Sequence, residues 1–374
     1  MDAGDFGTGR KRSLGILSFF SPAREFMNEI APVARPLAVM AATFLLSVGT
    51  MPALIRLLRR MNMGKNIRDA SSAPVMASLH RAKQGTPTMG GVAIWGSVLI
   101  LASLFTAGCT WLSSAEFCQL SFLSRKQTWL PLALMVGAAL IGLTDDYCNV
   151  KRLGPHGGGL TVKRRLFSYT LIAVVGAWWF TAKLGWDQLH VPFVGTYFIG
   201  PWYALFFILT IVATSHSVNV TDGLDGLAGG TLLAAFAAYA AIAWSQGRMD
   251  LATLCTAIIG ALLGFLWFNI NPADVFMGDT GAMSLGTALG VVALMTNQPV
   301  LLLIVGLPFV IESGSVLLQI MSRILFKRKL FLSTPLHHHL EASGWTEPRV
   351  VMRFWMVSFV LAGIGIVVAL IDRT

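Results

Sequence analysis

The sequence predicts an all-α, polytopic integral membrane protein with about ten transmembrane helices. Three observations predict it. Of 374 residues, 55% are hydrophobic and only 12% charged, with a mean hydropathy of +0.67, beyond the range of a soluble domain. The apolar residues fall into runs near the ~20 residues that cross a bilayer. The basic residues, in turn, collect in every second connection between those runs.

Taken in order, the predicted spans are 33–58, 90–108, 129–144, 166–183, 200–218, 223–244, 251–269, 280–296, 299–325 and 350–371. Residues 1–32 carry Arg10, Lys11 and Arg12 beside a short apolar run, Leu14 to Phe20. That run is too short for a span and no small-residue cleavage site follows it, so an interfacial arm is expected there, ahead of a transmembrane domain over 33–374.

Ten spans put both termini on one side. With the termini outside, the inward connections 56–83, 151–165 and 323–353 hold seven, five and six Lys or Arg, eighteen of the 28. Positive-inside bias favours this orientation. The net charge of +10 therefore reads as topology and contact with the lipid bilayer; no nucleic-acid motif accompanies it and no nucleic-acid partner is expected. The four cysteines lack metal-ligand spacing and are expected as buried small hydrophobes, pairing of Cys109 with Cys118 in an external loop being the lesser alternative.

In this orientation spans 3, 5, 7 and 9 end at the cytoplasmic face, and four polar segments fall at those ends. Asp145 and Asp146 close span 3; adjacent carboxylates repel unless they share a proton or a cation. Asn219, Asp222 and Asp225 sit where span 5 turns into span 6. The two acids are expected as neighbours on one helical face, and helix capping explains one of them but not both. Between spans 7 and 8, Asn269, Phe276 and Asp279 lie in a turn built with Pro272, Gly278 and Gly281. Asp279 is either a cap or, beside a phosphate, a ligand for Mg²⁺, which favours one or two carboxylates with water and phosphate. His337, His338 and His339 follow span 9. Adjacent rings diverge, so hydrogen bonding or general-acid work toward phosphate suits them better than chelation. Lys83 precedes span 2, well placed for a phosphate, and Glu312, Ser315 and Gln319 share one face of span 9. An ionisable Glu312 inside a span is functional by default. Convergence of these segments on one face argues for an enzyme working at the membrane surface, whereas a carrier places its charges near the midplane.

The peptides Gly85-Thr-Pro-Thr-Met-Gly-Gly91, Asp145-Asp-Tyr147, Asn219-Val-Thr-Asp-Gly-Leu-Asp-Gly-Leu227, Phe276-Met-Gly-Asp279 and Pro335-Leu-His-His-His-Leu-Glu341 resemble, in order and spacing, the phospho-N-acetylmuramoyl-pentapeptide-transferase family, from about residue 50 onward. That family lies within the polyprenyl-phosphate N-acetylhexosamine-1-phosphate transferase superfamily. The resemblance implies Mg²⁺-dependent transfer of phospho-MurNAc-pentapeptide from UDP-MurNAc-pentapeptide to undecaprenyl phosphate, giving lipid I and UMP at the inner face of the bacterial cytoplasmic membrane. It implies that Asp279 binds Mg²⁺ and that Asp145 deprotonates or orients the lipid phosphate. Asp146, Asn219, Asp222 and Asp225 then shape the nucleotide and diphosphate site, while Asn269 and Phe276 meet uracil. Lys83 and Lys163 contact the diphosphate, and the His triplet binds the sugar phosphate. A homodimer stays open.

Departures fall on the basic contacts. Asn149 stands where similar chains usually carry Lys, Lys163-Arg164-Arg165 lacks the frequent downstream Gln, and Leu332-Ser333-Thr334 replaces the usual Arg-Met-Ala. The nearest rival reading is a GlcNAc-1-phosphate transferase of the same superfamily.

Overall fold

The computed structural model describes residues 21–64, 83–113, 115–154 and 158–372. The part of the expected arm before Ser21 lies outside them, as do residues 80–82 next to Lys83. Among the described residues ten helices are long and apolar enough to cross a membrane, matching the ten runs one for one. They are α1 (Ser21–Arg60, crossing from Val33), α2 (Gly91–Trp111), α4 (Trp129–Val150), α5 (Val162–Trp178, continued by a π turn to Lys183), α6 (Trp202–Thr221), α7 (Leu227–Ser245), α8 (Met249–Asn269), α9 (Gly278–Met295), α11 (Leu307–Leu325) and α13 (Glu347–Ile371). Short helices complete the set: α3 (Ala115–Leu120), α10 (Leu302–Val305) and α12 (Leu336–Ala342).

Helix α9 sits at the centre, packed against α2, α4, α6 and α7, while α1 runs along α8. Lipid offers no hydrophobic drive between helices, so close packing and interhelical hydrogen bonds hold the bundle. Gly142 of α4 lies against the backbone of Asp279 and Thr280, and Gly91 of α2 against Gly281. Ser215 and Thr287 join α6 to α9 at 2.7 Å, and the Thr280 hydroxyl donates to the Ala139 carbonyl at 2.8 Å. Bonds of this kind contribute about 0.6 kcal/mol each. Most outward faces of the peripheral spans are apolar and exposed, as on Leu205 and Leu209 of α6 and Met356 and Val360 of α13.

Four details correct the sequence reading. Helix α4 runs one turn past Asp146, so the acid pair lies inside the last turns of a helix. Helix α7 begins only at Leu227, after Gly226 adopts φ +79°, so Asp222 and Asp225 belong to a turn and not to one helical face. The ninth span breaks at Gly306, ahead of Pro308 in the first turn of α11. Cys109 and Cys118 form a disulfide joining α2 to α3, at the end of the bundle away from the acids; Cys255 is buried as expected. A small antiparallel hairpin, β1 (Gln188–Val191) with β2 (Gly195–Phe198), also lies at that far end, in register His190 to Thr196. The hairpin holds the carboxylate of Asp372 through the Phe193 N–H of its turn at 2.6 Å and the His190 ring of β1.

Candidate active site

At the other end of the bundle, three of the four polar segments are joined by direct hydrogen bonds, and the histidine segment packs against Gly223 of the second. The centre is Arg165, in the first turn of α5. Its Nε donates to Asp145 Oδ2 at 2.5 Å, one Nη to Asp279 Oδ2 at 2.8 Å and the other to Asn219 Oδ1 at 3.3 Å. Asn219 Nδ2 donates in turn to Asp279 Oδ1 at 2.6 Å, and the Leu160 N–H to Asp145 Oδ1 at 2.5 Å. One side chain from α5 thus gathers carboxylates from α4 and α9 and an amide from α6.

Asp146, one residue on and fully turned away, does a different job. Its carboxylate accepts from the N–H groups of Asp279 at 3.1 Å and Thr280 at 3.0 Å. Those are orphan donors in the first turn of α9, where the helix dipole also favours negative charge. Asp146 therefore caps α9 from a neighbouring helix and fixes the height of Asp279 against Asp145. Three carboxylates around one guanidinium leave the cluster short of positive charge.

A second cluster adjoins it. Buried Asp225 pairs with Lys83 at 2.7 Å and accepts from Asn271 at 3.1 Å and the Ala273 N–H at 3.2 Å. Lys83 also reaches Glu347 at 2.5 Å, and Glu347 accepts from the Asp225 N–H at 2.7 Å. Asn269 ties the two turns together, accepting from the Gly226 N–H at 2.9 Å and donating to the Val275 carbonyl at 2.8 Å. The Phe276 ring is largely buried, 6.0 Å from Lys83 Nζ, and its backbone pairs with Pro87 and Gly90. Asp222 lies half-buried on the same turn.

The histidines occupy α12; the rings of His337 and His338 pack edge to face with centroids 4.0 Å apart, contrary to the expected divergence, while His339 turns to Phe331. His337 is fully enclosed. Its Nδ1 meets Glu312 Oε2 at 2.9 Å, and its backbone N–H donates to Glu312 Oε1 at 3.2 Å. Its other nitrogen has no hydrogen-bond partner and rests against Gly223, where a Cβ would come within 2.9 Å of Cε1 and closer still to Nε2. His338 pairs with Glu341 at 2.8 Å, and His339 Nδ1 accepts from the Leu332 N–H at 3.2 Å. Gln319 is buried on the same face of α11 as Glu312, as predicted, and its Oε1 accepts from the N–H groups of Leu330 at 3.0 Å and Phe331 at 2.9 Å. Lys163 is exposed on the outer side of α5.

The structure therefore joins Asp145, Asp146 and Asp279 in one cluster, pairs Asp225 with Lys83 and Glu312 with His337 in two others, and leaves Lys163 exposed. Sequence reasoning missed Arg165 and Glu347. Arg165 was detectable: with Tyr169, Ile172 and Gly176 it follows the inward stripe of α5, whereas Lys163 and Arg164 do not.

Ten spans among the described residues, with carboxylates, amides and imidazoles at one end, make this a polytopic membrane protein, and residues 128–297 match the model of glycosyl transferase family 4. Residues 83–94, which contain Lys83 and the Gly-Thr-Pro-Thr-Met-Gly-Gly peptide, match the phospho-N-acetylmuramoyl-pentapeptide-transferase signature 1. A phospho-N-acetylmuramoyl-pentapeptide-transferase of Geobacillus sp. (strain WCH70) is 40% identical over 87% of this chain and 94% of its own length. Relatives of the same name from Levilactobacillus brevis and Bacillus velezensis are 37% and 40% identical, over 87% and 86% of this chain and 96% and 94% of theirs. The chain belongs to the phospho-N-acetylmuramoyl-pentapeptide-transferase family.

Proposed function

We propose that this chain transfers phospho-MurNAc-pentapeptide from UDP-MurNAc-pentapeptide to undecaprenyl phosphate, forming lipid I and UMP. An oxygen of the lipid phosphate attacks the sugar-bound β-phosphorus, the bond to the α-phosphate breaks, and UMP leaves. The observation that carries this reading is the single hydrogen-bonded belt from Asp145 through Arg165 and Asn219 to Asp279. Two polyanions must meet there, and fixed cations and amides offset their repulsion.

The donor set fits Mg²⁺. Carboxylate and amide oxygens suit a hard cation, and Asp145 and Asp279 offer two carboxylates bridged by Arg165. Such a partial site is the kind Mg²⁺ takes, leaving most positions to water and phosphate. Asp279, with Asp145 beside it, would hold the ion, which when bound supplies charge neutralisation on the diphosphate. Asp145 orients the lipid phosphate or accepts its proton. Asp146 fixes α9, Lys83 and the Asp225 turn border the nucleotide, and His337, aligned by Glu312, faces the turn that carries Asp222. The basic connections at this end support a cytoplasmic active site. The disulfide at the opposite end agrees, because disulfides persist in oxidising compartments.

Purified protein with Mg²⁺ and undecaprenyl phosphate is expected to release UMP from UDP-MurNAc-pentapeptide and not from UDP-GlcNAc. Equal or reversed preference, read as UMP formed, moves the assignment to the GlcNAc-1-phosphate branch. Gly223→Ala tests the histidine contact: the added methyl overlaps the His337 ring, so UMP release should drop about 100-fold through displaced geometry. Unchanged turnover would remove that contact from the argument.

A further inference from the structure

We propose that Arg165 is a resident cation that competes with divalent metal for Asp145 and Asp279, so that it keeps metal affinity low in the free enzyme and high only with bound diphosphate; this rests on the reading of Asp279 as the Mg²⁺ ligand. The guanidinium spans both carboxylates at 2.5 and 2.8 Å, and the remaining oxygen of each is held by Leu160 and Asn219 at 2.5 and 2.6 Å. All four carboxylate oxygens therefore already have donors. A divalent ion must share or displace them.

Arginine cannot relieve the conflict by losing its proton. It must swing away or remain as a nearby like charge. Its side chain retains 26% exposure, so a route to solvent exists, and its planar fork matches phosphate oxygens as well as carboxylates. An arriving diphosphate therefore does two things at once. It supplies negative charge for the metal and gives Arg165 an alternative partner. Metal and nucleotide then bind with positive coupling. Lys163 and Arg164, exposed on the outer face of α5, lack this geometry.

The test is Mn²⁺ binding to the purified full-length chain, read from the paramagnetic resonance of free Mn²⁺ and independent of turnover. Arg165→Gln should tighten Mn²⁺ binding without nucleotide at least tenfold, since a unit charge within a few ångströms is removed. Arg165→Lys, which keeps the charge but not the fork, should lie between Gln and wild type. UDP-MurNAc-pentapeptide should tighten Mn²⁺ binding more in wild type than in Arg165→Gln. Unchanged or weaker Mn²⁺ affinity in Arg165→Gln, with binding still abolished by Asp279→Asn, overturns the competition alone. Tight Mn²⁺ binding that survives Asp279→Asn in the Arg165→Gln background overturns the Asp279 reading and the competition with it.

Discussion

Asp279→Asn is expected to lower UMP release by about a thousandfold or more while the protein remains folded. The substitution keeps the shape and a carbonyl oxygen, so the contact from Asn219 Nδ2 can persist. It removes the charge that would hold Mg²⁺ and ends the ion pair with Arg165. Metal-derived stabilisation of a phosphoryl transition state amounts to several kcal/mol, and each ~1.4 kcal/mol is a factor of ten in rate. Stability should change little. Arg165 keeps Asp145 as a partner, and one of three crowded carboxylates has been neutralised, which relieves repulsion. The measurement is a radiolabelled or coupled assay of UMP beside a thermal unfolding curve. Near-normal turnover would remove Asp279 from the metal role, and a large loss of melting temperature would make it a structural carboxylate.

The spans and the acids were legible in the sequence for the same physical reason. In a chain this apolar, hydropathy marks each crossing, and a carboxylate inside or beside a crossing is costly unless something retains it. Asp145, Asp225, Asp279 and Glu312 stand out on that ground alone. The basic partners do not, because Lys and Arg at the inner ends of spans are expected for topology whether or not they enter a site. Arg165 was hidden among Lys163 and Arg164 in this way, and only its register with Tyr169 separates it. Glu347 was hidden differently, as an acid in the first turn of α13, where a dipole explanation already suffices. Asp146 also caps another helix, a relation between distant segments that no local spacing encodes. The disulfide was legible only as the lesser alternative: α3 is six residues long, too short for a periodic signal to place Cys118 against Cys109.

Gly142→Ala should cost about 100-fold in turnover through a residue that touches no substrate. A Cβ built on Gly142 falls 2.6 Å from Thr280 Cα and closer still to the Asp279 carbonyl. These are backbone atoms of α9 and cannot rotate aside, unlike the tip of a side chain. Helix α4 must therefore back away from α9 by several tenths of an ångström or more. Asp145 and Asp146 ride on α4 within one turn of that contact, and both meet groups at the start of α9. The displacement stretches the cap that Asp146 provides and opens the Asp145–Arg165–Asp279 arrangement. Overpacking of this kind costs about 1–3 kcal/mol in stability, and a misplacement near 1 Å at a reacting centre costs about a hundredfold in rate. A purely stabilising contact would predict a lower melting temperature with full activity in the folded fraction. Reduced turnover per folded molecule, with UDP-MurNAc-pentapeptide still bound, is the expected result and ties the close helix packing to the chemistry at its end.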